Sequence, residues 1–171
     1  VILPEFKNLQ EYNKYLLTHV FPSVLQYVAD KANELLRQHV DSDVYQAGNR
    51  TNYYAYGTTQ PTFELRDSIS NSDVQVSGDS AEIRVYHDKN KMRFEPDDFV
   101  HGSNYWRDGV SDVRDILPLI INNGLSGDLF GSGWWQEERP YFSNTIKEIQ
   151  SQGLIKKWFQ EGLAKQGIKT V

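Results

Sequence analysis

Between residues 25 and 36 the apolar side chains Leu25, Val28, Ala29, Ala32, Leu35 and Leu36 recur at spacings of three and four. That period puts them on one stripe of an α-helix and on no single face of a strand. Asp30, Lys31, Glu34, Arg37 and Gln38 fill the opposite side. A helix with one apolar stripe must bury it against something, so this segment commits the N-terminal third to helical packing. Upstream, Phe6, Leu9, Tyr12, Leu16 and Val20 outline a shorter amphipathic stretch, and Pro22 between the two predicts a break or kink near Phe21. The helix is expected to end by Asp41–Ser42–Asp43.

The strand signal is clearest over 72–87. Val74 and Val76 alternate with polar neighbours, Ser77-Gly78-Asp79-Ser80 supplies a turn, and Ala81, Ile83 and Val85 alternate again. This reads as a β-hairpin with one half-buried face. Residues 45–62 carry Gly48, Gly57 and Pro61 among polar residues and tyrosines, and read as a long loop. Residues 88–98 are polar and turn-like. Val113, Ile116, Leu117, Ile120 and Ile121 fit a short helix crossed by Pro118. A glycine-rich stretch, 124–133, leads to Trp134 and Trp135. Pro140 opens a further helix with Phe142, Ile146 and Ile149 on one face. After Gly153, the residues Ile155, Trp158, Phe159 and Leu163 form a second stripe. Helices at both ends, packed on a small antiparallel sheet with long loops, make an α+β plan. The 171 residues fit one domain, with 1–20 as an arm or short helix and 154–171 as a basic C-terminal segment.

Charge is unevenly spread. Residues 51–138 carry fifteen Asp/Glu against seven Lys/Arg, whereas residues 139–171 carry six Lys/Arg against two Asp/Glu. An acidic body with a basic end suits head-to-tail contact between identical copies. The net charge of −5 argues against a free nucleic-acid binder. No apolar run is long enough to span a membrane, and no export signal is expected. The chain has no cysteine, which excludes thiolate metal sites, disulfides and cysteine nucleophiles.

Other chemistries lack their signatures. His19, His39, His87 and His101 form no helical i,i+4 metal pair. Asp97–Asp98 and Asp108, Asp112 and Asp115 lack the spacing of a calcium loop. The glycines at 124–133 are not followed by Lys-Ser/Thr, so they do not make a phosphate loop, and no Gly-x-Ser-x-Gly elbow is present. No metal, cofactor or catalytic residue is assigned. Aromatic side chains in loop segments, among them Tyr53, Tyr54, Tyr56, Trp106, Trp134 and Trp135, mark an interface. The same aromatics, with the acidic clusters, leave open a small cell-wall glycoside hydrolase or a carbohydrate-binding module.

The order of segments carries a resemblance. Pro61-Thr-Phe-Glu-Leu-Arg-Asp-Ser-Ile69 precedes the hairpin, Ile120-Ile121-Asn122-Asn123-Gly124 forms a turn segment, and Arg139-Pro140-Tyr141-Phe142 opens a C-terminal helix. Over residues 20–165 this order resembles the neck and tail-completion proteins of tailed bacteriophages, the head–tail joining and tail-terminator group. Leu65, Arg66, Ser68 and Ile69 match that family's Leu-Arg, Ser-Ile segment. Gly124 fits its turn, and Arg139, Pro140 and Phe142 approximate its last helix start. Phe63-Glu64 departs from the family's Thr-Gly, and the stretch 89–119 is longer than usual. The resemblance implies a non-catalytic virion protein, assembled in the host cytoplasm. It implies a ring, with six copies the expected number, contacting the tail tube protein and the head-connector or stopper protein. DNA would only pass through its lumen. Within that reading Arg66 and Arg139 are expected to act as conformational anchors, and Lys156 and Lys157 to belong to the basic interface.

Overall fold

The computed structural model describes residues 4–46, 63–93, 112–124 and 137–168. The fold is α+β. In chain order the elements are α1 (Leu9–Tyr15), α2 (Phe21–His39), α3 (Glu64–Asp67), β1 (Ile69–Asn71), β2 (Gln75–Ser77), β3 (Ser80–Glu82), β4 (Val85–His87), α4 (Leu117–Asn123), α5 (Tyr141–Ser151) and α6 (Leu154–Lys165). The chain divides into two compact units. One comprises residues 1–35, 71–86 and 147–171, the other 36–70 and 87–146.

In the first unit, α1 is started by Asn8, whose side-chain oxygen accepts from the Glu11 backbone N–H at 2.9 Å. The Glu11 carboxylate accepts in return from the Lys7 N–H at 3.1 Å, so two orphan donors of the helix start are satisfied reciprocally. Proline 22 has no N–H to give the helix ladder. The expected break is instead a π-helical turn, Leu16–Val20, in which the Phe21 N–H reaches back to the Leu16 carbonyl, and the chain runs on into α2. In the apolar stripe of α2, Val28, Ala29 and Leu36 are buried and Leu25, Ala32 and Leu35 are half-buried. Val28 packs with Leu154 and Trp158, flanked by Tyr27, Ala32, Leu35, Ile149 and Phe159. Tyr27 donates to the Glu161 carboxylate at 3.0 Å, and the Lys165 ammonium lies 3.8 Å from the centre of its ring.

The stripe of α6 is inward as read at Trp158, which is buried, and at Phe159 and Leu163, which are half-buried, but its first member differs: Leu154 is buried and Ile155 is 46% exposed. Gly153, with a left-handed backbone (φ 60°), joins α5 to α6. Gly162 is where α6 meets α2 most closely, since an added Cβ would sit 2.9 Å from Cγ1 of the fully buried Val24.

The hairpin forms between β2 and β3, with Gln75 opposite Glu82, Val76 opposite Ala81 and Ser77 opposite Ser80. Gly78, at φ 58°, makes the tight turn. Val74, Ala81, Ile83 and Val85 are half-buried as expected, with Glu82, Arg84 and Tyr86 exposed between them, but β2 itself is exposed and Val76 is 42% exposed. The second half of the strand signal belongs to another ladder. Strand β4 pairs with β1, closed by Asp88 N–H to the Ser68 carbonyl and by Ser72 N–H to the Arg84 carbonyl, each 2.8 Å.

In the second unit, the end of α2 runs past Asp41–Ser42–Asp43 as a π-turn, Val40–Tyr45. Burial outweighs the turn propensity of these residues, because Val40 and Val44 are both fully enclosed. Burial works against the Asp43 charge, but Ser42, Asn144 and His39 hydrogen-bond it and hold its carboxyl below the usual range. Proline 118 does not cross α4 but occupies its first turn, where a missing N–H costs nothing. Leu36, Leu65, Ile69, Met92, Ile120, Ile121 and Tyr141 form the rest of this unit's buried apolar set.

Gly162→Ala is expected to lower stability by about 1–3 kcal/mol, because the added methyl group overfills the contact with Val24. A urea midpoint unchanged from the parent chain would show that α6 does not approach α2 this closely.

Candidate functional site

Three residues far apart in sequence converge in the second unit. Ser68 follows α3, His87 ends β4 and Tyr141 begins α5. Ser68 Oγ lies 2.7 Å from His87 Nδ1 and donates to the Leu65 carbonyl at 2.7 Å. Tyr141 Oη lies 3.1 Å from His87 Nε2 and 3.1 Å from the Pro118 carbonyl. Because the Ser68 proton is committed to Leu65, the consistent tautomer has Nδ1–H donating to Ser68 Oγ. Nε2 then carries no proton, and it and the Pro118 carbonyl are the two acceptors within reach of the single tyrosine O–H. Burial pushes the His87 pKa down to about 4, so the imidazole is neutral at pH 7. Burial also raises the Tyr141 hydroxyl above the ordinary tyrosine range.

Asn122 makes a second cross-link. Pro140 precedes α5 and offers no side-chain acceptor to the helix start. The Asn122 side-chain oxygen, from α4, accepts instead from the Phe142 N–H at 3.0 Å and the Ser143 N–H at 3.4 Å. The Arg139 N–H bonds the Ile121 carbonyl at 3.1 Å alongside. A cap normally made by the preceding residue is thus supplied from another helix.

These links floor a cavity of about 360 Å³. His87, Tyr141 and Asn122 line its base, Pro118, Leu119 and Phe142 one wall, and Lys89, Arg114 and Asp115 its charged edge. Leu119 is 61% exposed and Phe142 49%, so the wall opens to solvent. The charges at the edge compensate one another. Lys89 Nζ is 2.8 Å from Asp115, and Arg114 is 2.7 Å from Asp112. The hydrogen bond from Arg114 draws the Asp112 carboxyl down to about 2. Chemically the site is a latch. Both imidazole nitrogens are engaged, the Ser68 hydroxyl is wholly buried, and the cations are matched by carboxylates.

The sequence-assigned interface residues fall in several places. Arg66 bonds Asp41 at 3.2 Å and Asp67 at 3.1 Å, and its guanidinium lies 4.4 Å from the Phe63 ring centre. Phe63 is the one non-glycine residue with positive φ (57°) among the described residues, at the position where Phe-Glu replaces the resembled Thr-Gly. Arg139 is buried and bonds Glu137 at 2.7 Å. Lys156 and Lys157 are exposed on α6. Tyr53, Tyr54, Tyr56, Trp106, Trp134 and Trp135 lie outside the described residues. His87, Asn122 and Tyr141 were not assigned from sequence. His87 was legible only as a polar strand end, and no local pattern connects positions 68, 87 and 141. Among the described residues no group of three or more His, Asp or Glu is arranged to hold a metal ion, and no helix is long and apolar enough to cross a membrane. No protein-family model, curated protein or solved structure matches the chain.

The His87 latch carries a pH signature. Its folded-state pKa of about 4 lies below the unfolded value of about 6.5. The unfolded chain therefore binds a proton first, and stability falls as pH drops from about 6.5 to about 4, by about 3 kcal/mol in all, and then levels off for this group. His87→Gln should flatten that slope in denaturation series read at several pH values. An unaltered slope in the variant would place the titrating group elsewhere. Asn122→Ala should cost about 1–2 kcal/mol by removing the cap of α5, and a loss below a few tenths in a urea titration would contradict that role.

Proposed function

We propose that the chain is a structural virion protein of a tailed bacteriophage. It would form a ring at the neck that joins the tail to the head connector or terminates the tail tube. The observation that carries this reading is the agreement between the resembled motif and its structural weight. Leu65, Ser68 and Ile69 are buried in the second unit, and Arg66 ties α3 to Asp41 on the turn after α2. A short motif that supplies a core and an ion pair is one that a scaffold depends on. The latch chemistry of His87 supports the same reading, since it holds backbone segments rather than presenting a reactive group. The ring would contact itself, the tail tube protein and the head-connector or stopper protein, with DNA passing through the lumen and no cofactor required.

A ring needs heterologous contacts between unlike patches of the same chain. Exposed apolar side chains are available on both units, Leu9, Val76 and Ile155 on the first and Leu119, Phe142 and Ile146 on the second. The test is electron microscopy of the purified chain, alone and with isolated tail tubes, beside an assay for release of sugar from cell-wall glycan. Rings, or tubes capped at one end, with no release are expected. Glycan turnover that survives purification would overturn the proposal in favour of the hydrolase. A monomer that leaves tubes uncapped but is retained on a glycan resin would favour the carbohydrate-binding module.

A further inference from the structure

Asn123 and Gly124 are the only Asn-Gly pair in the 171 residues. The structure gives each of them a reason. Gly124 ends α4 with φ 68° and ψ 164°, a backbone region essentially closed to any residue with a Cβ. The path of the chain therefore dictates glycine at this position. Asn123, the last residue of α4, is exposed, and its side-chain oxygen accepts from Asn122 Nδ2 at 2.6 Å. Asn122 is buried, and its Oδ1 caps α5 through the Phe142 and Ser143 N–H groups. Asn123 thus steadies the amide that starts the next helix.

The same placement sets an exposed carboxamide beside an uncrowded backbone nitrogen. With no side chain at Gly124 to obstruct it, that nitrogen can reach Asn123 Cγ and close a five-membered ring. We propose that Asn123 is a site of spontaneous covalent modification, at which the Gly124 nitrogen attacks the side-chain amide and the residue becomes aspartyl or isoaspartyl. The Gly124 amide gives its proton to solvent, and its nitrogen bonds to Cγ. The Cγ–Nδ2 bond breaks, and Nδ2 leaves as ammonia after taking up a proton from solvent. One water then opens the cyclic imide. Opening at Cγ restores the ordinary peptide with an Asp side chain. Opening at the main-chain carbonyl leaves the chain running through Cβ and Cγ, one atom longer, with the carboxylate on Cα. Water is the sole co-reactant, and nothing is oxidised or reduced.

The fold controls the rate. The Gly124 N–H donates to the Ile120 carbonyl at 2.8 Å, and Asn123 Oδ1 is held by Asn122. Both bonds must open first, and helix ends are where such openings come most easily. Two ordinary hydrogen bonds slow the reaction about tenfold relative to the unfolded chain. The fold also sets the consequence. The aspartyl product keeps an oxygen for Asn122 Nδ2. The isoaspartyl product withdraws it and displaces the Gly124 N–H from Ile120, so the cap of α5 loses its support. The junction of α4 and α5 therefore carries its own clock, whether or not the chain assembles into a ring.

The test ages the purified chain in mildly alkaline buffer, with and without urea. Peptide mass mapping and labelling by an isoaspartyl methyltransferase follow the products. Conversion should appear at Asn123 ahead of every other asparagine, and about tenfold faster in urea than in the folded chain. Asn123→Gln should abolish it, since the longer side chain would have to close a six-membered ring. The aged chain should unfold at a lower urea midpoint than the fresh one. Asn123→Asp, which adds the charge without lengthening the backbone, should stay close to the parent. No conversion at residue 123, or conversion no faster there than at other asparagines, would overturn the site. An equal rate in urea would overturn its control by the fold. Equal midpoints for aged and fresh chain, or an Asn123→Asp variant as unstable as the aged chain, would overturn the role of the lengthened backbone.

Discussion

The neutral imidazole of His87 is the interaction on which the second unit depends. One side chain reaches the segment after α3 through Ser68 and the start of α5 through Tyr141, and the tyrosine in turn touches the α4 backbone at Pro118. Each contact is an ordinary hydrogen bond, worth about 1 kcal/mol net. The larger quantity is the cost of losing one, because the partners are enclosed and would be left unsatisfied. Burial holds the ring neutral, and the Ser68 proton, given to the Leu65 carbonyl, selects the tautomer in which Nδ1 donates.

What the latch positions is a surface. With α4 and α5 fixed by His87, Tyr141 and the Asn122 cap, Leu119 and Phe142 stand at the mouth of the same cavity. The neighbouring cations are neutralised inside the unit, which leaves apolar area as the dominant feature of the patch. The first unit is organised by a different constraint, the close approach of Gly162 to Val24, and that packing turns Ile155, Lys156 and Lys157 outward. Rigid packing in each unit thus leaves exposed apolar side chains on each, Ile155 on the first and Leu119 and Phe142 on the second.

Much of this plan was legible in the sequence where a period or a turn residue carried it. The α2 stripe showed because six apolar residues share one face, and the hairpin showed because Gly78 sits between alternating runs. At the start of α6 Leu154 and Ile155 are adjacent, equally apolar and four and three residues before Trp158, so the spacing did not tell which of them turns inward. The half-buried face over 72–87 was legible as alternation, although Val76 stands out of it at 42% exposed. Within the resembled Leu-Arg, Ser-Ile segment the individual roles were hidden. The burial of Leu65 and Ile69 came only with the structure, and the engagement of Ser68 by His87 and Tyr141 depends on residues 19 and 73 positions away in the chain. Asn122 was hidden for the same reason, as a cap donated across helices has no local signature.

The most direct measurement is electron microscopy of lysates of the phage lacking this chain. The account predicts DNA-filled heads lying apart from tails, or tails of uncontrolled length, and restoration of joined particles when the intact chain is supplied. Intact, joined particles of normal tail length in its absence would contradict the central claim.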